Sequence, residues 1–308
     1  MNPISKACEA YIAMRQAMGF KFVGATRRLR HLVHFMEERG ENTLTTSLVV
    51  AWAQMQNGRS QAGICYSVAR GFARHLAGID PRTDVPPPGL VPFHWFRRPY
   101  LYTDAEVSRL LAATHELPTY HGPMLRLTME CIVGLLAATG LRVGEALRLD
   151  RADVDLNAGV LTIRGSKFGK SRLVPMHHST TAALRVYARH RDHHVATPRH
   201  PQFFIGARGA RLYRQHVDLT FRRLTISANI VAARGARAPR LHDLRHRFAV
   251  ESLKTGFRRS ASGEQVLATL ATYLGHTCLC DTYWYLSASP ELLALATRRL
   301  ERLAQVRR

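Results

Sequence analysis

The chain has 308 residues, which is enough for two domains, and 46% of them are hydrophobic, so it can bury a sizeable core. Its 44 lysines and arginines outnumber its 22 acidic residues, which gives a formal net charge of +22. That excess indicates a polyanionic partner, with nucleic acid favoured over a membrane surface or a merely basic protein.

Membrane, secretory and disulfide-rich classes are disfavoured. No apolar run approaches the roughly 18 residues of a membrane span, and the N-terminus lacks a secretory pattern, so we expect a soluble, cytoplasmic protein with no membrane partner. The odd number and the wide spacing of the five cysteines argue against a disulfide framework. Cys278 and Cys280, beside His276, lack the spacing of a zinc site, so no metal is expected.

The first 84 residues predict a helical domain. Apolar residues recur at helical spacing in Ile4–Met18 and Arg28–Met36. Thr46 or Ser47 can cap a third helix, and Ser60 a fourth. The predicted helices carry four basic residues of interest, Arg27, Arg28, Arg70 and Arg74. These arginines could belong to an ordinary solvated face or contact a DNA backbone, and the sequence leaves both interpretations open.

Residues 85–101 predict an interdomain linker, because their prolines forbid a regular helix and favour an extended path. Arg97 and Arg98 could touch phosphates there. A second domain, 102–308, begins with a capping box at Thr103–Glu106.

The second domain is predicted to be mostly helical around a short β-section. Leu125–Thr139 predicts a buried helix, and Val160–Arg164 and Arg172–Met176 predict two strands. An amphipathic helix is expected at 290–308. The predicted fold class is mainly α with a small antiparallel β-sheet.

Basic and hydroxyl residues of the second domain suit metal-free cleavage of a phosphodiester. That reaction needs a nucleophile, positive groups around the phosphate oxygens, an acid and a base. Arg142 follows Gly140 at a helix junction, His242 and Arg245 are spaced i, i+3, and Tyr285 lies nine residues after His276. Each has an ordinary reading when taken alone, such as a salt bridge from Arg142 to Glu145 or Asp150, or core packing for the tyrosine.

The order of these motifs resembles one family. They are ATGLRVGEALRL, a hairpin lysine followed by K-x-R-x-V-P, H-x-L-R-H, LGH and T-x-x-Y. Together they resemble the tyrosine recombinases, or phage-type integrases, which include the Xer recombinases, over roughly residues 102–290. The resemblance implies a helical core-binding (SAM-like) domain at 1–84 and an α/β catalytic domain at 102–308.

The resemblance also implies roles for six residues. Tyr285 would attack the phosphate and form a 3′-phosphotyrosyl bond, whereas Tyr283 has the wrong spacing. Lys167 would be the general acid, and Lys170 belongs to the K-x-R position. Arg142 and Arg245 would clamp the phosphate. His242 would assist as a base or hydrogen-bond the phosphate, and His276 would donate to a phosphate oxygen. Neither ATP nor a cofactor would be needed.

Family members recombine double-stranded DNA as tetramers through a Holliday junction, in some cases with accessory recombinases, and their C-terminal segment often docks on a neighbour. The TYWYLS run also resembles recombinases of transposable elements. Leu286 and Ser287 stand where the family commonly has threonine or histidine, which leaves delivery of the tyrosine in cis or in trans open. A type IB topoisomerase and an inactive DNA-binding regulator are the alternatives, and integration, excision, resolution and transposition stay open.

Overall fold

The computed structural model describes residues 3–92, 99–118, 124–165, 169, 171–195, 200–206, 209–259, 262–288, 290–295, 297 and 298. Its contacts divide the chain into two compact units, Met1–Arg97 and Arg98–Arg308. Over the described residues the fold is mainly helical with one small antiparallel sheet, which confirms the predicted class.

The first unit is a four-helix arrangement over its described residues, with helices α1 (Pro3–Ala17), α2 (Val23–Glu37), α3 (Thr46–Gln54) and α4 (Arg59–Leu76). Each helix is amphipathic and turns its apolar face inward. The largest fully buried side chains here are Trp52 and Phe72. The indole of Trp52 donates to His31 Nδ1 at 2.9 Å, so its one polar atom is satisfied inside the core.

Two predicted helix caps were wrong by one or two residues. Thr45, not Thr46 or Ser47, precedes α3 with an extended backbone, and its hydroxyl accepts from the Leu48 N–H. Gly58, not Ser60, precedes α4, with φ of 93° and no side-chain cap. The hydroxyl residues that were predicted to cap therefore lie within the first turns of the helices.

The proline-rich segment begins against the first unit. The Tyr66 hydroxyl donates to the carbonyl of Pro87, and Arg70 Nε donates to the carbonyl of Pro86 at 2.7 Å. Val91 is buried in the core of the unit. Residues 93–98, which include Arg97 and Arg98, lie outside the described residues.

Over its described residues, the second unit contains its sheet and eight α-helices, besides the short helical segment at 290–295. The eight helices are α5 (Asp104–Thr114), α6 (Met124–Thr139), α7 (Val143–Ala146), α8 (His178–His194), α9 (Arg214–Ser227), α10 (Asp243–Arg259), α11 (Gly263–Leu274) and α12 (Cys280–Tyr283). The predicted capping box is present at α5, where the Thr103 hydroxyl accepts from the Glu106 N–H and the Glu106 carboxylate accepts from the Thr103 N–H. Helix α6 is mostly buried, as its apolar sequence predicts.

The sheet has the order β1-β2-β3, with strands Val154–Asp155, Val160–Ile163 and Arg172–Pro175. The predicted hairpin is present, with Val160 opposite Pro175 and Ile163 opposite Arg172. Strand β1 was not predicted, because two residues carry too little pattern to indicate a strand. Lys167 and Lys170 belong to the β2–β3 connection but lie outside the described residues.

Helices α10 and α11 form a separate apolar cluster with the chain that follows them. Residues 290–295 are helical, and Leu292 is fully buried in this cluster. The first turn of the predicted 290–308 helix therefore packs on its own domain, whereas Leu300 and Leu303 lie outside the described residues. No described helix is both long enough and apolar enough to cross a bilayer.

Candidate active site

Two glycines place main-chain carbonyls at the centre of the site. Gly140 follows α6 and Gly275 follows α11, with φ of 62° and 68° respectively. A Cβ on Gly140 would lie 2.4 Å from Phe248 Cδ1, so the close approach to α10 requires glycine as much as the dihedral angle does. These turns free carbonyls at the ends of both helices, because a helix leaves its last carbonyls without intrahelical partners.

Arg245 joins three of the sequence motifs. It lies in the first turn of α10 with only 2% of its surface exposed. Its Nη1 donates to the Gly140 carbonyl at 2.8 Å, and its Nη2 donates to the Leu274 carbonyl at 2.9 Å and to His276 Nε2 at 3.0 Å. A planar guanidinium with five N–H groups can meet all three acceptors while it stays charged.

Arg142 and Arg172 share one buried carboxylate. Arg142 directly precedes α7, and its Nη1 donates to Glu145 Oε1 at 2.8 Å. Arg172, from β3, meets both oxygens of Glu145 at 3.1 and 2.9 Å and donates to the Tyr273 carbonyl. Glu145 is 3% exposed, so it fixes the position of both arginines inside the protein. The sequence-based alternative of a structural salt bridge is present for Arg142, and 29% of this side chain remains accessible.

His276 and Tyr285 stack beside Arg245. Their ring centroids are 6.1 Å apart, the angle between the ring planes is 15°, and Tyr285 is 3% exposed. His276 Nδ1 lies 2.7 Å from the hydroxyl of Thr282 in α12. Tyr283, two residues before Tyr285, is 48% exposed, so the two tyrosines that are close in sequence differ sharply in burial.

His242 lies one residue before α10 rather than within it, because the helix begins at Asp243. The Arg245 N–H donates to its carbonyl, so one turn still separates the two residues. The ring of His242 contacts that of His246 at 5.0 Å, and His246 contacts Tyr285 at 5.6 Å. A continuous row of rings therefore runs from His242 to the tyrosine.

Burial and positive charge keep these histidines neutral at neutral pH. Burial, and after it the charge of Arg245, lowers the pKa of His242 and of His276 to about 4. Burial and the neighbouring His242 lower the pKa of His246 to about 3. The same burial, with Arg142 nearby, lowers the pKa of Arg245 to about 10.

The pKa values of Tyr285 and Glu145 are shifted in opposite directions. Burial raises the pKa of the Tyr285 phenol against the lowering effect of Arg245, so the phenol stays protonated. Burial alone would raise the pKa of Glu145, but hydrogen bonds from Arg172 and from the Arg142 N–H lower it to about 2. The site thus holds cations that repel one another around a neutral nucleophile, an arrangement that an entering anion would stabilise.

The structure brings together five of the six residues predicted to act in cleavage: Arg142, His242, Arg245, His276 and Tyr285. Lys167 lies outside the described residues. In the first unit, Arg27 and Arg74 are exposed, whereas Arg28 donates to Gln61 and Arg70 to Pro86. Among the residues that the structure describes, no three His, Cys, Asp or Glu side chains are grouped to hold a metal.

Three residues of the site were not singled out from the sequence. Glu145 was considered only as an alternative partner for Arg142, Arg172 only as part of K-x-R, and Thr282 only as part of T-x-x-Y. The spacing of three residues from Arg142 to Glu145 could have identified Glu145, because a glutamate in the first turn of a helix can accept from the N–H of the residue before the helix, as it does here at 3.0 Å. No local pattern pairs Arg172 with Glu145, because they are distant in sequence and meet only in the fold.

Comparison with known proteins identifies the family. The model of the phage integrase family matches residues 101–291. The putative integrase/recombinase y4rB of Sinorhizobium fredii (strain NBRC 101917 / NGR234) is 45% identical, and the alignment covers 98% of each chain. The chain belongs to the phage integrase family.

This integrase-family protein is a tyrosine-type site-specific recombinase. The tyrosine recombinase XerC of Chlamydia pneumoniae is 28% identical, over 63% of this chain and 55% of XerC. The fold of the present chain is similar to that of the Tn1549 transposon integrase, whose structure was solved in complex with transposon right end DNA. That similarity has a TM-score of 0.70 at 16% identity and covers 97% of this chain and 99% of the other.

Proposed function

We propose that this recombinase cleaves and rejoins double-stranded DNA through a 3′-phosphotyrosyl intermediate, without metal or ATP. The Tyr285 oxygen attacks the scissile phosphorus, the bond to the 5′-oxygen breaks, and the phenol proton passes to His242. Lys167 protonates the departing 5′-oxygen. A 5′-hydroxyl of a partner strand then attacks the phosphotyrosine and restores the phosphodiester.

The observation that carries this proposal is the position of Arg245. It lies against the end of α6, the end of α11 and His276. Burial raises the pKa of the Tyr285 phenol, and the charge of Arg245 opposes that rise. Arg142 and Arg245 supply the fixed positive charge that a pentacoordinate phosphorus needs on its oxygens. His242, with its pKa lowered to about 4, is neutral at neutral pH, so it has a ring nitrogen with a free lone pair that can accept a proton.

Assembly follows from the same chemistry. Two rounds of strand exchange pass through a Holliday junction and need four active sites, so we propose a homotetramer on two duplexes, with accessory recombinases where the site requires them. The net charge of +22 supports extended contact with DNA. In the first unit, Arg27, Arg28, Arg70 and Arg74 are the candidates for backbone contact, and Arg97 and Arg98 are candidates in the linker.

Covalent trapping tests the proposal. Full-length protein is incubated in EDTA with labelled, nicked suicide substrates made from the DNA that flanks its gene, and the products are separated in SDS. We expect a protein–DNA band from the wild type that Tyr285→Phe abolishes and Tyr283→Phe, the exposed control, retains. A band that survives Tyr285→Phe, or that requires a divalent metal, would overturn the proposal. Relaxation of any supercoiled plasmid without a preferred site would favour the topoisomerase alternative.

A further inference from the structure

Both ring nitrogens of His276 are engaged, and one partner decides where the proton lies. Nε2 is 3.0 Å from Arg245 Nη2, and Nδ1 is 2.7 Å from Thr282 Oγ1. A guanidinium has hydrogen-bond donors and no acceptor, so Nε2 must accept. The proton of the neutral ring is therefore on Nδ1, which donates to the Thr282 hydroxyl.

That tautomer is unsuited to a phosphate. Phosphate oxygens accept hydrogen bonds, whereas Nε2 in this state presents a lone pair. When DNA brings a phosphate to Arg245, His276 can contribute only if Nε2 acquires a proton. Either the ring takes up a second proton, and Nδ1 continues to donate to Thr282, or the proton moves from Nδ1 to Nε2 and Nδ1 becomes an acceptor.

A hydroxyl can satisfy Nδ1 in both cases, because it has one O–H donor and two acceptor lone pairs. A carbonyl or carboxylate would fix the proton on Nδ1. The Thr282 side chain is suited to hold the ring in place, since the residue is fully buried and its N–H donates to the Leu279 carbonyl at 2.8 Å. It also lies in α12, three residues before Tyr285, so one side chain links the histidine to the segment that carries the nucleophile.

We propose that Thr282 is a positioning residue whose hydroxyl lets His276 change from an acceptor facing Arg245 to a donor facing the scissile phosphate. This inference rests on the proposed role of His276 in cleavage. Thr282 touches neither DNA nor the reacting atoms. It acts through the imidazole. Its hydroxyl accepts from Nδ1 before the phosphate arrives, and afterwards it either continues to accept from the doubly protonated ring or donates to Nδ1.

The first test uses the free protein and does not depend on cleavage. Full-length protein with ¹⁵N-labelled histidine is studied by NMR at neutral pH, and the His276 signals are assigned by their loss in His276→Ala. We expect the spectrum of a neutral ring with the proton on Nδ1. A ring protonated on Nε2 would overturn the inference, even if no DNA substrate were cleaved.

The second test measures the single-turnover rate of covalent-complex formation on nicked DNA. Thr282→Val keeps the shape and removes the hydroxyl. We expect it to slow the reaction about 10- to 100-fold, by analogy with the loss of a group that orients a metal-bound histidine. Thr282→Ser retains a hydroxyl and should stay within a few-fold of wild type. Thr277→Val, in the same segment but exposed, is the matched control and should not slow the reaction.

A double-mutant cycle separates positioning from stability. In a His276→Ala background, Thr282→Val should have no further effect, because the group through which it acts is gone. Equal slowing in both backgrounds, or failure of Thr282→Ser in a protein that melts like wild type, would overturn the inference. If wild type forms no covalent complex, the proposed function fails instead, and the NMR test still decides the state of His276.

Discussion

Glu145→Gln is expected to destabilise the fold by about 3 kcal/mol while it preserves the shape of the side chain. The side chain of Glu145 is 1% exposed and pairs with Arg142 and Arg172. Its pKa falls from 4.5 to about 2 in the folded protein. Each pKa unit corresponds to about 1.4 kcal/mol, so the shift amounts to about 3 kcal/mol of stability at neutral pH. The cost also falls in the range of about 3–5 kcal/mol for removing one partner of a buried ion pair.

The sign of the pH dependence follows from the lowered pKa. The contribution of Glu145 to the free energy of unfolding is complete above pH 4.5, the pKa of its carboxyl in the unfolded chain. That contribution is lost as the pH falls toward 2, the pKa in the folded protein. At about pH 3.5 the unfolded chain has taken up the proton and the folded chain has not, so roughly 1 kcal/mol of the contribution is already lost. Glutamine cannot titrate, so the free-energy gap between wild type and Glu145→Gln should narrow by that amount.

Urea denaturation at about pH 7 and about pH 3.5 measures this gap, with stability taken from linear extrapolation. Glu251→Gln is the matched control, because Glu251 pairs with Lys254 but its side chain is 50% exposed. An exposed pair contributes at most about 1 kcal/mol. A loss in Glu145→Gln no larger than in the control, or a gap that is the same at both pH values, would refute the reasoning.

Three further outcomes are expected. Gly140→Ala should lower the free energy of unfolding, measured by urea denaturation, by about 1–3 kcal/mol and slow covalent-complex formation, because the new Cβ meets Phe248. Gly40 has a similar φ but open surroundings, so an equal loss of stability in Gly40→Ala would contradict this prediction. Thr103→Ala should cost about 1 kcal/mol by thermal unfolding, with Thr103→Ser largely retaining the cap, and an unchanged melting temperature would argue against the cap. The three partly buried histidines His242, His246 and His276, with pKa lowered from 6.5 to between about 3 and 4, bind protons mainly when the chain is unfolded. The melting temperature should therefore fall as pH drops below 6.5, and a flat profile would exclude this linkage.

Features with a local cause could be predicted from the sequence. The capping box at Thr103 needs only residues three apart, and the apolar run of α6 is long enough to indicate a buried helix. The cap of α3 was misplaced because Thr45, Thr46 and Ser47 can all accept from a backbone N–H. Only the extended conformation at Thr45, which depends on the preceding loop, selects the first of them.

The site was predictable in composition but not in its contacts. Motif order indicated Arg142, Arg245, His276 and Tyr285, yet no sequence spacing shows that Arg245 donates to the Gly140 carbonyl 105 residues away. The pairing of Arg172 with Glu145 likewise depends on how the β-hairpin packs against α7 and α11. Sequence spacing also does not show that the ring of His246 lies against the rings of Tyr285 and His242.

The way Arg245 is held has a consequence during synthesis of the chain. Two of its acceptors are the carbonyls of Gly140 and Leu274, and the third is His276, so the guanidinium lacks most of its partners until residues beyond 276 have left the ribosome and α11 has packed on α10. A nascent chain that ends before residue 274 can carry the basic helices of the first unit, yet it lacks two of the three acceptors of Arg245, and it lacks Tyr285. In the proposed mechanism, the ability to break a strand therefore arises only once α11 has packed on α10 and the segment that carries Tyr285 has been made.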